Sequence, residues 1–269
     1  MNRIPTLFGL ALLAAGVSSH AEPVFGSSPS GDSTAPSLVA RPFYADWIAD
    51  RLSIGLRISH ATLTDGKRPA NYDKDFIGAI NRLDDTDELS VLPEVRYWTA
   101  RYLLLTLGMD HVAGRTRNFN TPNHHSDGIA TLDGPVLLVE GLLPLMNDTL
   151  FLHAGPGIAY DFGDFDHVTW WRLGYSDEEG WRQSGSPSSG SRGGRYREVQ
   201  VDDTFGFILS AGFAWRPIDR MELDVSIRHT WVEPDVRWGY SKRGHFDEQQ
   251  QGKFTLDHLS VSAMLSWVF

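Results

Sequence analysis

The feature that most constrains this chain is an alternation with a period of two residues, which recurs in eight segments between residues 52 and 269. The first segment shows it plainly, because apolar residues alternate there with small or charged ones: Leu52, Ile54, Leu56 and Ile58 against Ser53, Gly55, Arg57 and Ser59. Successive side chains of a β-strand point to opposite faces, so each segment predicts a strand with one apolar and one polar face.

The spacing of these segments predicts how the strands are connected. The predicted strands cover about 52–59, 89–99, 102–110, 129–143, 150–161, 204–215, 221–228 and 259–269. Short connections alternate with long ones, and the long ones are expected to be loops at about 62–88, 111–128, 162–203 and 232–256. This order is typical of an all-β, transmembrane, antiparallel up-and-down β-barrel of eight strands, with short periplasmic turns and long extracellular loops.

The N-terminal residues predict export. Arg3 precedes an apolar run at 7–17, and small residues end at Ala21, so residues 1–21 are expected to be a signal peptide that is cleaved after Ala21. The run is about half of the roughly 20 residues that a membrane-spanning helix needs. Residues 22–48 are rich in Ser, Pro and Gly and are expected to form a disordered periplasmic leader. The barrel is then predicted to occupy residues 49–269.

Composition excludes several other classes. The chain has no cysteine, so neither a disulfide framework nor a lipid-modified cysteine is expected. Its formal net charge of -10 argues against nucleic acid as a partner. The mean hydropathy of -0.26 is that of a soluble protein, but a barrel hides its lipid-facing residues in alternation, so the average does not exclude a membrane protein. No cofactor is expected.

The end of the chain carries a resemblance. The last strand alternates apolar residues and ends in Phe269 with Trp267 two positions before it, which resembles the C-terminal insertion signal of outer-membrane barrels. Residues 155–162 are similar to a strand pattern of the same class. From Leu52 onward the chain resembles the small eight-stranded barrels, such as the OmpA transmembrane domain, OmpW and the opacity proteins. The resemblance implies an outer-membrane location, contact with outer-membrane lipids including lipopolysaccharide, and insertion by the barrel-assembly machinery.

The polar faces of the strands predict a charged interior. Ten ionisable residues are expected to point inward: Arg57, Glu94, Arg96, Asp110, Glu140, His153, Asp161, Glu222, Asp224 and Arg228. An eight-stranded barrel is just wide enough to be filled by its own side chains, so these residues are interpreted as a polar network that plugs the lumen. A proton or small-ion path through the same residues is the alternative.

Two further features leave alternatives open. The longest predicted loop contains four aromatic residues: Trp170, Trp171, Tyr175 and Trp181. They are interpreted as surface contacts for an unknown ligand, or as rings that pack on one another or lie at the membrane boundary. Pro93, Pro135 and Pro156 fall inside predicted strands, where a closed barrel has no free edge for a residue without an amide donor. Bulges or nearby strand ends are expected at Pro93 and Pro156, and the strand boundary around Pro135 is left open.

Candidate chemistry is weak, and no catalytic or metal-binding residue is predicted. The adjacent pairs Asp110-His111, Asp166-His167 and Asp257-His258 resemble residues of omptin proteases, but neighbours in a strand point to opposite faces. Residues 228–231 resemble the lipid A deacylases, whose nucleophilic serine stands where this chain has Trp231. The clusters at 84–88 and 124–127 are interpreted as solvated charged loops, with a metal site as the alternative.

Together these observations favour a non-enzymatic outer-membrane barrel with a role in envelope integrity and surface contact. A narrow channel for ions or small hydrophobic molecules is the first alternative. A lipid A-modifying or omptin-like enzyme at the outer rim is the second.

Overall fold

The computed structural model describes residues 50–64, 82–117, 126–146, 149–175, 178–183, 195–218, 220–242 and 245–269. The predicted signal peptide and periplasmic leader lie outside these residues, so their assignment stays a prediction.

The described residues form long strands and two short helices. The strands are β1 (Leu52–Leu63), β2 (Arg82–Asp85), β3 (Leu89–Ala100), β4 (Leu103–Arg117), β5 (Gly128–Leu145), β6 (Leu150–His167), β7 (Arg195–Val201), β8 (Thr204–Ile218), β9 (Met221–Trp231), β10 (Asp235–Lys242), β11 (His245–Lys253) and β12 (His258–Val268). The helices are α1 (Thr169–Arg172) and α2 (Glu178–Gln183). In the described part of the chain, no helix has the length and apolar character needed to cross a membrane.

Eight of these strands form a closed antiparallel wall, which confirms the predicted fold class. Their order around the wall is β4-β3-β1-β12-β9-β8-β6-β5, and β5 pairs with β4 to close the circle. The paired residues can be followed once around, through Leu63, His258, Thr230, Ile208, Gly157, Leu138, Thr106, Arg96 and Ser53. This path leaves β1 at Leu63 and returns to it at Ser53, ten positions earlier in the strand. The strands are therefore strongly tilted, as closure of a barrel requires.

The eight predicted strands coincide with these wall strands, except that Tyr102 and Phe269 lie one residue outside them. The predicted long loops are wrong in part. β4 continues to Arg117 and β6 to His167, well into segments that were expected to be loops. Four further strands lie in the connections: β2 pairs with the end of β4, and β7, β10 and β11 form a separate sheet in the order β11-β10-β7. These extensions lie at the long-connection end of the wall, opposite the short turns.

The wall has an apolar outer face. Large apolar side chains that are more than a third exposed face outward from strands all around it, including Ile54, Leu56, Ile58, Leu137, Val139, Leu143, Phe207, Leu209, Phe213, Val261 and Leu265. Trp267 and Phe269, the predicted insertion signal, are 50% and 53% exposed on this face. Aromatic rings also lie at its limit toward the long connections, where the ring centroids of Tyr160 and Phe205 are 4.8 Å apart. A continuous exposed apolar belt of this kind is stable only against lipid.

The three prolines lie in continuous strands, so the structure has no bulge at Pro93 or Pro156, where one was expected. Pro93 pairs with Leu56, Pro135 with Met109 and Pro156 with Leu209, each without a shift of register. Each proline instead lies where pairing on its other side is interrupted. The missing amide donors are thus accommodated by local gaps between strands.

The largest of these gaps separates the upper parts of β3 and β4. Asp85 and Glu94 are nine positions apart, whereas their partners Gly114 and Gly108 are only six positions apart. Residues 86–93 therefore do not pair with β4, although this stretch and residues 109–113 are both fully described. Pro93 lies at the lower end of the gap.

Candidate functional site: the filled interior

The interior is organised around the carboxylate of Glu94 on β3. Oε1 accepts a hydrogen bond from Nε of Arg96 at 2.9 Å, and Oε2 accepts one from Nη2 of Arg228 at 2.8 Å. Nε of Arg57 lies 3.3 Å from the same Oε2. All four side chains are at most 1% exposed. One carboxylate thus ties together arginines from three wall strands, β1, β3 and β9.

A second group extends across the barrel from Arg96. Its Nη1 lies 2.8 Å from Oδ2 of Asp224 on β9. The same Oδ2 lies 2.7 Å from Nε2 of His153 on β6, and Nδ1 of His153 lies 2.9 Å from Oε1 of Glu140 on β5. Ionised carboxylates only accept hydrogen bonds, so this geometry suits a His153 ring that donates from both nitrogens. The ion pairs therefore span the lumen rather than running along its wall.

The network continues toward both ends of the barrel. Toward the long-connection end, Nη2 of Arg57 donates to the carbonyl of Met109 and lies 3.6 Å from Asp110, whose other oxygen is 3.3 Å from Nε2 of His258. Toward the short-turn end, Nε of Arg216 donates to Oε2 of Glu222 at 2.8 Å. Buried charges are costly unless they are paired, and this chain of contacts supplies the partners.

The structure places all ten predicted inward residues in the interior, each no more than 5% exposed. Nine of them join the contacts just described, and Asp161 is buried near the outer end without joining those ion pairs. Sequence reasoning missed His258 and Arg216. Both continue the inward alternation of their strands by one more step, from Ser260 on β12 and from Ala214 on β8, so a longer reading of the same pattern finds them.

Buried apolar side chains lie next to the network. Toward the short-turn end lie Trp98, Leu104, Leu142, Phe151 and Ala214, and one side of the middle is covered by Val136, Leu138, Ala159 and Ile208. Gly212 permits the close packing of His153, because a Cβ there would lie 2.7 Å from Nε2 of the imidazole and 2.5 Å from a backbone oxygen of β9.

Above the apolar belt, the interior changes from charged to apolar. Its core contains Leu132 and Phe165 of the extended wall, Val199 and Trp238 of the β7-β10-β11 sheet, and Leu256 between β11 and β12. Burial lowers the pKa of His167 to about 4, and its Nε2 accepts a hydrogen bond from the amide of Val199 at 2.9 Å. Burial raises the pKa of Asp127 to about 7, against the opposing charge of Arg197.

One of the four predicted contact residues, Trp171, is buried in this core, so its prediction as a surface contact is wrong. Trp171 is only 2% exposed: its ring stacks on His167 at 5.9 Å and lies under the guanidinium of Arg197. Trp170 is half-buried against the same core, and Tyr175 and Trp181 are also half-buried. Trp171 therefore stabilises the outer end instead of offering a contact surface.

The candidate catalytic pairs are separated by the pleat of their strands. Asp110 contacts His258, whereas His111 points outward and lies 2.6 Å from Asp133. Oδ1 of Asp257 accepts a hydrogen bond from the amide of Val232 at 2.7 Å. His229 packs edge-on against Trp231, with ring centroids 4.2 Å apart. No group of three or more His, Cys, Asp or Glu suited to a metal ion occurs among the described residues, and His124 and His125 lie outside them.

Comparison with known proteins gives likeness of structure without likeness of sequence. No family model matches the chain, and neither does any curated protein sequence. The crystal structure of OprG from Pseudomonas aeruginosa is similar over 82% of this chain and 96% of its own, with a TM-score of 0.59 and 11% identity. The solid-state NMR structure of AlkL is similar over 89% and 97%, with a TM-score of 0.54 and 12% identity. At such identities the likeness concerns the fold alone.

Three observations now converge on one class: a closed wall of eight tilted strands, a continuous apolar belt around it, and likeness to outer-membrane proteins of the same construction. Barrels with these properties are the spanning structures of outer membranes, with short turns on the periplasmic side. The chain has the fold of the small eight-stranded outer-membrane β-barrels and is an outer-membrane barrel protein.

Proposed function

We propose that this protein is a non-enzymatic barrel that contributes to envelope integrity and surface contact, with a lumen closed by its own side chains. The observation that carries the proposal is the group of three arginines on Glu94 together with the Arg96-Asp224-His153-Glu140 chain. These contacts connect strands on opposite sides of the barrel. An ion passing through would have to separate these buried ion pairs, and breaking a buried pair is costly.

Conductance in planar lipid bilayers tests the plug. We expect no steady openings from the purified wild-type protein, because the network and the buried apolar side chains next to it fill the lumen. Arg115→Gln is a matched control, since Arg115 is exposed on the outer face of β4 and its loss should change nothing. Steady wild-type openings whose conductance changes in Arg96→Ala would show that the network lines an ion path and would overturn the plug.

The surface-contact role is supported by the β7-β10-β11 sheet, whose partly exposed side chains include Tyr196 and Arg237, and Arg237 pairs with Asp202 just after β7. We expect protease added to intact cells to cut in the segment around Gly190, because the long connections should face outward. Protection of that segment in intact cells, with cleavage only after the periplasm is opened, would reverse the orientation.

A second candidate function, passage of small hydrophobic molecules, is favoured by the gap between β3 and β4. Above Glu94 these strands do not pair, and the inward-facing Leu92 of β3 is only half-buried. The apolar core lies at the long-connection end and the charged network lies below it. A hydrophobic molecule entering from outside would meet the network and could leave only sideways, through the gap into the lipid.

A cross-link across the gap tests this route. Val91→Cys and His111→Cys would face each other if β3 continued its register with β4, and the chain has no other cysteine to interfere. We expect uptake of a small apolar dye by cells carrying the double variant to fall on oxidation and to recover on reduction. Equal uptake in both states, with the disulfide shown to be formed, would exclude a lateral path.

A further inference from the structure

The lower end of the gap between β3 and β4 is spanned by one side chain from a third strand. Arg57 lies on β1, where it pairs with Leu92 of β3. Its Nε lies 3.3 Å from Oε2 of Glu94, the residue of β3 at which pairing with β4 begins. Its Nη2 donates to the backbone carbonyl of Met109 on β4. A single guanidinium thus contacts both edges of the gap at the point where their backbones separate.

The carbonyl of Met109 lacks the donor that a regular ladder would give it. The pairing of Glu94 with Gly108 sets a register that places Pro93 opposite Met109. In an antiparallel ladder, the residues of a hydrogen-bonded pair exchange both of their N–H···O bonds. Pro93 has no amide hydrogen, so it cannot donate to that carbonyl. The guanidinium of Arg57 supplies a donor in its place.

The neighbouring strand β5 shows that the backbone groups of Met109 point toward the gap. Pro135 pairs regularly with Met109, whereas its pairing with β6 is interrupted. The missing amide of Pro135 therefore points toward β6, so its pair with Met109 is of the kind without hydrogen bonds. The N–H and C=O of Met109 must then point to its other neighbour, β3.

Above this point, each edge of the gap is held by its own neighbouring strand. On the β3 side, Oγ of Ser90 donates to the carbonyl of Ser59 on β1. On the β4 side, Nδ1 of His111 lies 2.6 Å from Oδ1 of Asp133 on β5. Backbone pairing of β2 with β4 closes the upper end. The lower end instead has the side chain of Arg57.

We propose that Arg57 is a latch that sets the lower limit of the gap by taking the place of the amide that Pro93 lacks. The inference rests on the lateral passage of hydrophobic molecules proposed above, because the latch determines how far down such a molecule can leave sideways. Above the latch, the gap is flanked by apolar side chains such as Val91 and Leu92. Below it lie the ion pairs of Glu94, which an entering apolar molecule would disrupt. The latch thereby confines passage to the apolar part.

Amide hydrogen exchange in the full mature chain, in detergent micelles, tests the latch. Val95 and Leu107 form the next bonded pair below the break, so their amides bond across β3 and β4. We expect Arg57→Gln to accelerate exchange of these two amides about tenfold more than exchange between β8 and β9. The reason is that the ladder frays from its upper end once the hydrogen bond to Met109 is lost.

Arg228→Gln is the matched control. Arg228 contacts the same Oε2 of Glu94, but it has no hydrogen bond to β4 among the described residues. Its loss should weaken the network without a selective effect on the pair below the break. Arg57→Lys serves if Arg57→Gln does not fold, because an ammonium keeps the charge beside Glu94 but lacks the fork that spans two partners.

Pro93→Ala makes the test specific to the missing amide, because it restores a backbone donor opposite Met109. In that background, Arg57→Gln should lose its selective effect on exchange. The latch is overturned if Arg57→Gln and Arg228→Gln accelerate the two amides equally, or if the full effect of Arg57→Gln persists beside Pro93→Ala.

Uptake of a small apolar dye by cells carrying the same variants separates the latch from the proposed passage. Selective exchange together with increased uptake in Arg57→Gln would support both. Selective exchange with unchanged uptake would support the latch and argue against lateral passage. Exchange without selectivity would overturn the latch whatever the uptake.

Discussion

The two ends of a single strand, β5, obey opposite rules. Near its long-connection end, Asp133 faces outward and Leu132 is buried in the interior, as in a soluble protein. Seven residues further along, Val139 faces outward and is 42% exposed, while Glu140 is buried. β6 repeats the reversal, with Phe165 inside at one end and His153 inside at the other. The alternation continues unbroken, but the medium outside changes from water to lipid.

This reversal explains why the two parts of the interior are stabilised differently. Within the apolar belt, the outer face gains nothing from being polar, and the polar positions therefore point inward, where each charge needs a partner. Beyond the belt, water surrounds the wall, so burying apolar side chains inside is favourable again. Substitutions in the two parts should consequently destabilise the protein in different ways.

The largest effect is expected from Glu94→Gln, in the charged part. The substitution leaves Arg57, Arg96 and Arg228 buried with one carboxylate fewer. We expect the free energy of unfolding to fall by about 5 kcal/mol, the upper end for breaking a buried ion pair. Urea unfolding in lipid vesicles, followed by the electrophoretic shift of the folded barrel, measures it. A loss below about 1 kcal/mol would show that water, not Glu94, compensates the arginines.

A smaller and more local effect is expected from Trp171→Ala, in the apolar part. The ring is buried between His167 and Arg197, so its removal should cost the outer end about 3 kcal/mol through lost packing. Amide exchange in β7 and β10 should accelerate, while exchange in β1 and β12 and the electrophoretic shift stay unchanged. Equal acceleration throughout the wall would mean that the two parts unfold as one unit, against the comparison drawn above.

The sequence predicts the charged part better than the apolar part, for a physical reason. Lipid is uniform, so a strict period of two suffices to assign Arg57 or Glu140 to the interior. Which charges meet depends on the stagger accumulated around the wall, and the contact between Glu94 and Arg228 joins strands that are far apart in the chain. Local alternation contains no information about that stagger.

The sequence does not predict β10 and β11, because these strands lie outside the apolar belt, where no contact with lipid requires alternating apolar residues. β11 has the sequence HFDEQQQGK, which is polar on both faces. β10 does carry a signal, since Val236 and Trp238 alternate with polar or small residues and are buried. That run is short and has charged residues around it, so by itself it does not predict a strand.

A pH titration should separate the contributions of His167 and Asp127 to the outer end. The pKa of folded His167 is about 4, below its ordinary 6.5, so its contribution to stability is present above pH 6.5 and is lost as the pH falls toward 4. The pKa of folded Asp127 is about 7, above its ordinary 3.8, so its contribution is present at low pH and is lost as the pH rises toward 7. In the wild type, the two residues therefore change the stability of the outer end in opposite directions as the pH changes.

Asp127→Asn should therefore leave only the contribution of His167 to the pH dependence of stability at the outer end. We expect the protection of the Val199 amide, corrected for intrinsic exchange, to fall by about 1 kcal/mol in this variant between pH 6.5 and 4, since protonated Nε2 no longer accepts that amide. The wild type should show a weaker dependence, and Asp127→Asn with His167→Gln should show none. The same slope in the single and double variants would assign the effect to another group.

The smallest effect is expected from Arg182→Gln, which removes a charge pair of the same chemistry as the Glu94 group but in water. Arg182 bonds to Glu178 one turn earlier on α2, and the two side chains are 70% and 56% exposed. Because water solvates either charge alone, we expect a change of only about 0.3–0.5 kcal/mol in local stability and none in the unfolding of the barrel. The same urea and exchange measurements apply. If Arg182→Gln instead destabilised the barrel to a degree approaching Glu94→Gln, burial would not be what distinguishes the two pairs, and the division of the molecule at the edge of the apolar belt would lose its basis.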